Sequence, residues 1–300
     1  MADAERTSAP YAALLAAQVL FGSLPVIGKL VLAVIPPVAL VGTRVILTAA
    51  VLAVVQVIRR RFWLRRGSDY WRLGVLSLFG VVFNQLLFLT GLSLTKASNT
   101  SLLAVTIPVF ALTVGSLTGI EKLGRRKLVG IALAAIGVIL LIDPRRASFS
   151  SDTTLGDVLI ILNSLSYGIY VATSKEVIMR NGVFRSMMWV FIFASVFCLP
   201  LGLFSFSVVD IGSVEVWVWL VVVYIAVVAT AGPYLLNAFA LKHVDPSTVA
   251  VFVYLQPLIG FVLAVIFLGE KIDFVFGISA MMIFAGVFLV TRRQFVPSET

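Results

Sequence analysis

Residues 96–122, KASNTSLLAVTIPVFALTVGSLTGIEK, and residues 245–271, DPSTVAVFVYLQPLIGFVLAVIFLGEK, decide how the rest of the chain is read. A shift of 149 positions lays Ser98 on Ser247, Pro108 on Pro257 and Glu121-Lys122 on Glu270-Lys271, and further along it lays Gly137-Val138 on Gly286-Val287. Overall identity in the overlap is low, so the match rests on the serines, prolines, Glu-Lys pairs and glycines. A shift of 146 likewise aligns Phe21-Gly22 and Lys29 with Tyr167-Gly168 and Lys175. The chain reads as two related halves, 11–142 and 156–291.

Working outward from these stretches, apolar windows of about 20 residues, the length that crosses roughly 30 Å of hydrocarbon, occur at 11–34, 38–58, 72–93, 97–118, 124–142, 156–177, 186–206, 215–240, 246–268 and 272–291. The fifth is the weakest, because Arg125, Arg126 and Lys127 would have to snorkel. Each half holds five spans. Five is odd, so the second half enters the membrane upside down relative to the first, the inverted repeat of secondary transporters. The expected fold is all-α: a polytopic membrane protein of ten transmembrane helices in two inverted five-helix repeats, forming one membrane domain over 1–300.

Composition agrees. Of 300 residues, 60% are hydrophobic and only 12% charged, against roughly half and a quarter in soluble domains, and the mean hydropathy is +1.09. One cysteine, Cys198, excludes an internal disulfide framework, and one histidine, His243, leaves zinc almost without ligands. No metal site and no cofactor are expected. The net charge of +9 sits in short clusters between apolar runs rather than on one polar face, so it reads as a topology signal and not as a nucleic-acid surface. With the N-terminus inside, seventeen of the 23 lysines and arginines fall on inner segments, with Arg59, Arg60, Arg61, Arg65 and Arg66 the densest group, while only Lys29, Lys96, Arg145, Arg146 and Lys271 fall outside. Both termini are therefore expected in the cytoplasm. The first apolar run is too long for a signal-peptide core and is expected to remain as a helix.

Arg44 stands alone as a charge deep in a span. It should face the bundle or a wet cavity, to recognise a carboxylate or other anionic group; the alternative is an arginine that snorkels outward or bonds helix carbonyls in a structural role. Pro108 and Pro257, near the middle of the fourth and ninth spans, each remove a backbone hydrogen bond and should free the carbonyls of Ala104 and Val253; Pro233 should free Ala229. Broken helices at equivalent places in inverted halves point to a midplane binding site and to hinges. In the sixth span Asn163, Tyr167, Tyr170 and Ser174 share one helical face, and a polar stripe in lipid must turn inward. Asn84 and Gln85, Tyr234 and Asn237, and Tyr254 and Gln256 are further inward candidates. All of these side chains serve equally as inter-helix hydrogen bonders. Lys29 and Lys175 read as snorkelling lysines, Glu121 and Glu270 as helix caps or partners of the adjacent lysine, and Met187-Met188-Trp189 as an interfacial anchor.

Phe21-Gly22-Ser23 with Lys29, Arg44 early in the second span, Lys96-Ala97-Ser98 leading into Pro108, Glu121, Gly156-Asp157, Gln256-Pro257 and Gly269-Glu270 together resemble the drug/metabolite transporter superfamily, EamA family. The resemblance covers roughly 11–291. It implies a ten-helix carrier, in a family where many members export amino acids or related metabolites, with a central cavity lined mainly by helices 1, 3, 4, 6, 8 and 9. Two positions depart from the pattern: Phe21 replaces a tryptophan, and Pro25 interrupts the first span.

No aspartate or glutamate lies deep in a span and His243 lies in a loop, so an intramembrane hydrolase lacks its general base and the chain is not expected to be an enzyme. A filter-like glycine loop is absent, which disfavours a channel. The expected function is transport, as an exporter, of a small polar or amphipathic metabolite by alternating access in the bacterial inner membrane, its partners being the solute and membrane lipids. A nucleotide-sugar or phosphorylated-metabolite exchanger is the nearest alternative, though a single deep cation is few for phosphate. A lipid-carrier flippase of the same superfamily and a non-transporting membrane scaffold subunit remain as further readings.

Overall fold

The computed structural model describes residues 2–143, 145, 152–207, 212, 214–268 and 274–291. Among them the chain is helical, with no strand. Lipid offers no hydrogen bonds to the main chain, so long apolar runs satisfy it within helices. Ten runs follow. α1 is Ala2–Leu32 and α2 Pro37–Ile58; α3 covers Gly67–Leu94 and α4 joins Ala97–Leu103 to Thr106–Leu117; α5 is Arg125–Ile142. In the second half α6 is Thr154–Asn181, α7 Val183–Phe206, α8 Val216–Leu241 and α10 Phe274–Thr291. Between α8 and α10, α9 runs through Pro246–Val251, Phe252–Tyr254 and Leu255–Leu268. Prolines in the first turns of α2 and α9 start those helices where an amide hydrogen has no intrahelical partner anyway.

Three described ends lie four residues or more outside the expected spans. α1 starts at Ala2 rather than 11. α3 begins at Gly67 rather than 72, and α6 continues to Asn181 rather than 177. The last two overhangs are zipped together: Arg180 bonds Asp69 at 2.7 Å and also pairs with Glu176, Asn181 Nδ2 donates to Asp69 at 2.8 Å, and Arg72 meets Glu176 at 3.1 Å. Hydropathy ends where these charges begin, whereas the helices end where their partners do. Among the residues singled out above, the side chains of Ser23, Pro25, Lys29 and Ser98 lie outside the described set, as do Arg146, Glu270 and Lys271 entirely.

α2 packs along α7 and α5 along α10 through small residues that let backbones approach. A Cβ on Gly42 would lie 2.8 Å from the Gly202 Cα, and one on Gly286 would lie 2.5 Å from the Gly130 carbonyl oxygen. α6 packs against α3 and α4, while α1 packs against α8 and α9. Exchanging α1–α5 for α6–α10 maps this scheme onto itself: α6–α3 becomes α1–α8, α6–α4 becomes α1–α9, and α2–α7 and α5–α10 are unchanged. Within the most apolar window of each helix, 61% of α6 is buried but only 28% of α10. α6, which carries the polar stripe, is therefore the inner helix, and α10 faces lipid.

Candidate functional site

Around α6 the neighbouring helices are broken, and the breaks are themselves 149 residues apart. α3 has a π-helical stretch at Leu78–Phe83 and α8 one at Val227–Ala231. α4 is interrupted at Ala104–Val105, and α9 tightens to a 3₁₀ turn at Phe252–Tyr254. The three prolines expected to act as hinges fall in the first turn of the helix that restarts after each break, Pro108 in Thr106–Leu117, Pro233 in Gly232–Leu241 and Pro257 in Leu255–Leu268, where proline is tolerated. The α3 break carries no proline and went unread in the sequence; the 149-residue shift from Pro233 was the signal that would have found it.

Broken helices leave carbonyls for other donors. Ser166 Oγ donates to the Phe79 carbonyl at 2.8 Å, the Tyr234 hydroxyl to Gly80 at 2.7 Å and Asn163 Nδ2 to Asn84 at 2.6 Å. Thr48 Oγ1 donates to Ala226 at 2.8 Å and the Tyr254 hydroxyl to Val105 at 2.7 Å. The Ala104 carbonyl, expected to be freed by Pro108, instead accepts from the Ile107 amide at 3.1 Å, and the side-chain bond falls one residue later. Gly80 makes the approach possible, since a Cβ there would sit 2.4 Å from the Tyr170 ring.

Arg44 does not snorkel. It is 6% exposed, its Nε donates to Gln85 Oε1 at 2.7 Å, and Tyr234 and Cys198 are neighbours. Among the described residues no carboxylate pairs with it. Gln85 Nε2 is buried beside the Tyr234 hydroxyl and makes no hydrogen bond of normal geometry among the described residues. Nearby, the Tyr234 hydroxyl lies 3.5 Å from Asn84 Oδ1, and Asn237 Nδ2 donates to the Tyr167 hydroxyl at 3.1 Å while Asn237 Oδ1 finds no partner among the described residues. Tyr167, Tyr170, Tyr234, Asn237, Leu241 and Val249 line a small cavity between α6, α8 and α9 with room for about one water molecule.

Eight of the ten candidate binding residues thus gather around α6: Arg44, Asn84, Gln85, Asn163, Tyr167, Tyr170, Tyr234 and Asn237. Tyr254 and Gln256 stand apart. Tyr254 ties α9 to α4, and Gln256 Nε2 donates to Gln18 Oε1 at 2.8 Å, tying α9 to α1; neither lines the cavity. Gln18, a polar group within the apolar run of α1, keeps a buried Nε2 with no partner among the described residues.

Four residues past Leu241 an ion cluster crosses the same end of the bundle. Lys127 Nζ contacts Glu121 at 2.5 Å and Asp245 at 2.7 Å. Glu121 accepts from the Ser247 amide at 3.0 Å and also bonds the Ser247 hydroxyl, so it caps α9, a helix distant in sequence. Its lysine partner is Lys127 rather than the adjacent Lys122. Lys175 Nζ donates to the Val244 carbonyl at 2.8 Å and so is a structural tie, not a snorkelling lysine. The sequence could not place these groups, because their helices meet only in the fold. Met187 and Met188 are also corrected: both are fully buried, and Met187 Sδ accepts from the Tyr170 hydroxyl at 3.4 Å. Among the described residues no group of His, Cys, Asp or Glu is placed to hold a metal ion.

Apolar helices long enough to span a membrane, packed around a buried polar centre, define an integral membrane protein. The EamA-like transporter family model matches residues 9–143 and again 154–292, so both halves are covered. The chain belongs to this family of transporters, which move small-molecule solutes in a lipid environment. It is 30% identical over 239 residues to an uncharacterized transporter of Archaeoglobus fulgidus, covering 78% of this chain and 82% of that one. It is 26% identical over 290 residues to the uncharacterized transporter YetK of Bacillus subtilis, covering 96% and 88%. One crystal structure, 18% identical, has the same fold with a TM-score of 0.75 over 95% of this chain and 96% of its own.

Proposed function

We propose that this transporter exports a small polar or amphipathic metabolite, amino-acid-like or related, by alternating access in the bacterial inner membrane. In this reading both termini are cytoplasmic, and the repeats 11–142 and 156–291 are inserted with opposite orientation. The observation that carries it is the pairing of helix breaks at a spacing of 149 residues, in α3 with α8 and α4 with α9, around one buried polar cluster. Two-fold exchange of the packing scheme supports the inverted repeat, because each half can then bend as the other does. Arg44, held by a neutral amide, supplies an uncompensated positive charge for an anionic group of the solute, and Gln85 Nε2 and Asn237 Oδ1 supply a donor and an acceptor. The cluster of Glu121, Lys127, Asp245 and Ser247 ties α4, α5 and the start of α9 together close in sequence to Leu241 and Val249 of the cavity lining, and in this reading it is the closure at that end.

The test is a thermal-shift screen of the purified protein against amino acids, nucleotides and amphipathic compounds, followed by counterflow of each stabilising compound in proteoliposomes. Saturable counterflow that fails in Gly80→Leu, where the Tyr170 ring is displaced, supports a carrier built around this cluster. Stabilising compounds that never cross, or no stabilising compound and no flux, would instead favour a scaffold.

A further inference from the structure

The turn between α2 and α3, residues 59–66, is more ordered than a charged connection needs to be. The Arg61 carbonyl accepts from Gln56 Nε2 at 2.9 Å and from Arg185 Nε at 3.1 Å, and the Phe62 carbonyl accepts from Trp189 Nε1 at 2.9 Å. The Leu64 amide donates to the Tyr70 hydroxyl at 3.1 Å and the Arg65 amide to Asn181 Oδ1 at 2.9 Å. Leu64 is buried, and Phe62 packs edge-on against Trp189. Arg60 is held at φ 51°, a left-handed conformation that costs a non-glycine residue energy and is kept only where its surroundings enforce it.

While the backbone is pinned, the side chains are displayed. Arg59, Arg60, Arg61, Arg65 and Arg66 are all exposed, and among the described residues none is in an ion pair. The acids of this face are already taken: Asp69 by Arg180 and Asn181, Glu176 by Arg72 and Arg180. Only Arg59 has a side-chain neighbour of note, lying 4.8 Å above the Phe184 ring. Trp63 and Trp71, 72% and 76% exposed, flank the group, and Ile58 at the end of α2 is 75% exposed. One turn thus displays together an exposed apolar helix end, tryptophans and arginines, the side-chain types that suit acyl chain, interface and headgroup respectively.

We propose that the 59–66 turn is a binding site for the phosphate headgroup of anionic phospholipid in the adjoining leaflet. Setting topology requires positive charge alone; it does not require a pinned backbone or a strained Arg60. All five basic residues are arginine, whose planar fork matches phosphate oxygens in a way that lysine does not. The height of the turn at the membrane boundary selects a lipid phosphate over a soluble anion. The proposal is independent of which solute is carried.

The experiment is native mass spectrometry of the full chain released from detergent micelles doped with phosphatidylglycerol and phosphatidylcholine, with apparent affinity read from a lipid titration. Wild type should retain phosphatidylglycerol in preference to phosphatidylcholine. The variants R60Q/R61Q and R65Q/R66Q should each bind phosphatidylglycerol about tenfold more weakly, since each loses two charges at the surface, while R125Q/R126Q should match wild type. Millimolar inorganic phosphate should not displace the lipid. Equal retention of the two lipids by wild type, unchanged binding in both 59–66 double variants, an equal loss in R125Q/R126Q, or displacement by free phosphate would overturn the proposal. The comparison of the two lipids on wild type needs no variant to fold.

Discussion

Replacing Arg44 by glutamine separates its two roles, because of which atom holds the guanidinium in place. Its hydrogen bond to the protein runs from Nε to Gln85 Oε1 at 2.7 Å. Glutamine carries its amide nitrogen at the same number of bonds from Cα as arginine carries Nε, so Arg44→Gln can keep the Gln85 bond while losing the charge and both terminal nitrogens. At 6% exposure and with no carboxylate partner, the guanidinium gains little from the protein in exchange for its desolvation. We therefore expect the variant to express and to unfold in detergent at the wild-type temperature or slightly above it. Binding of a carboxylate-bearing solute should suffer. A charge-assisted hydrogen bond is worth about 1.5–3 kcal/mol, and losing about 2 kcal/mol weakens Kd roughly thirtyfold. Arg44→Lys, which retains charge without the fork, should fall between the two. Isothermal titration and counterflow with the best solute from the screen provide the readout. Unchanged affinity in well-folded Arg44→Gln would refute recognition, and loss of folded protein would show that the guanidinium holds the helices instead.

Four further outcomes are expected. Tyr254→Phe should lower the unfolding midpoint in detergent by a few degrees, since it orphans the buried Val105 carbonyl at a cost of about 1–2 kcal/mol; an unchanged midpoint would show that another donor replaces it. Glu121→Gln, which weakens the tie to Lys127 while an amide oxygen can still cap Ser247, should speed modification of a cysteine placed at Leu241 by a soluble maleimide, and an unaltered rate would deny the cluster a closing role. In a Cys198→Ala background, a cysteine at Ser68 should react only from the cytoplasmic side and one at Ser151 only from outside; the reverse pattern would invert the proposed topology. A pH gradient imposed across proteoliposomes under voltage clamp, with solute equal on both sides, should drive no accumulation, and accumulation abolished by a protonophore would establish proton coupling.

The spans were legible because lipid imposes one rule on every segment. Among the described residues most helix ends fall within three residues of the expected limits, and the larger deviations come from α1, α3 and α6, where charged or polar turns continue a helix past the apolar run. The α3–α6 overhang is helical because Asp69, Glu176 and Arg180 find one another across helices, which no single segment reveals. Polar residues in apolar spans were likewise readable as inward, and the Arg44–Gln85 and Tyr167–Asn237 pairs lie where that rule puts them. Their partners were not readable. The sequence marks a proline but not a π-helical stretch, and Leu78–Phe83 has an ordinary apolar composition. Met187 and Met188 look like interface residues because they open a span beside Trp189, yet both are fully buried, and Met187 meets the Tyr170 hydroxyl in the middle of α6.

Five hydrogen bonds that cross between helices at the centre end on main-chain oxygen: Thr48 on Ala226, Ser166 on Phe79, Tyr234 on Gly80, Asn163 on Asn84 and Tyr254 on Val105. A carbonyl is present whatever residue carries it. The donor is thus under selection while most acceptor positions are free to drift, Gly80 being held for its size rather than for its oxygen. Among descendants of this chain, correlated substitution would leave these contacts invisible, and the centre of the molecule would look less connected than its periphery. Redesign gains the same freedom: side chains along the acceptor stretches can be exchanged to reshape the cavity without dismantling the bonds that hold its broken helices.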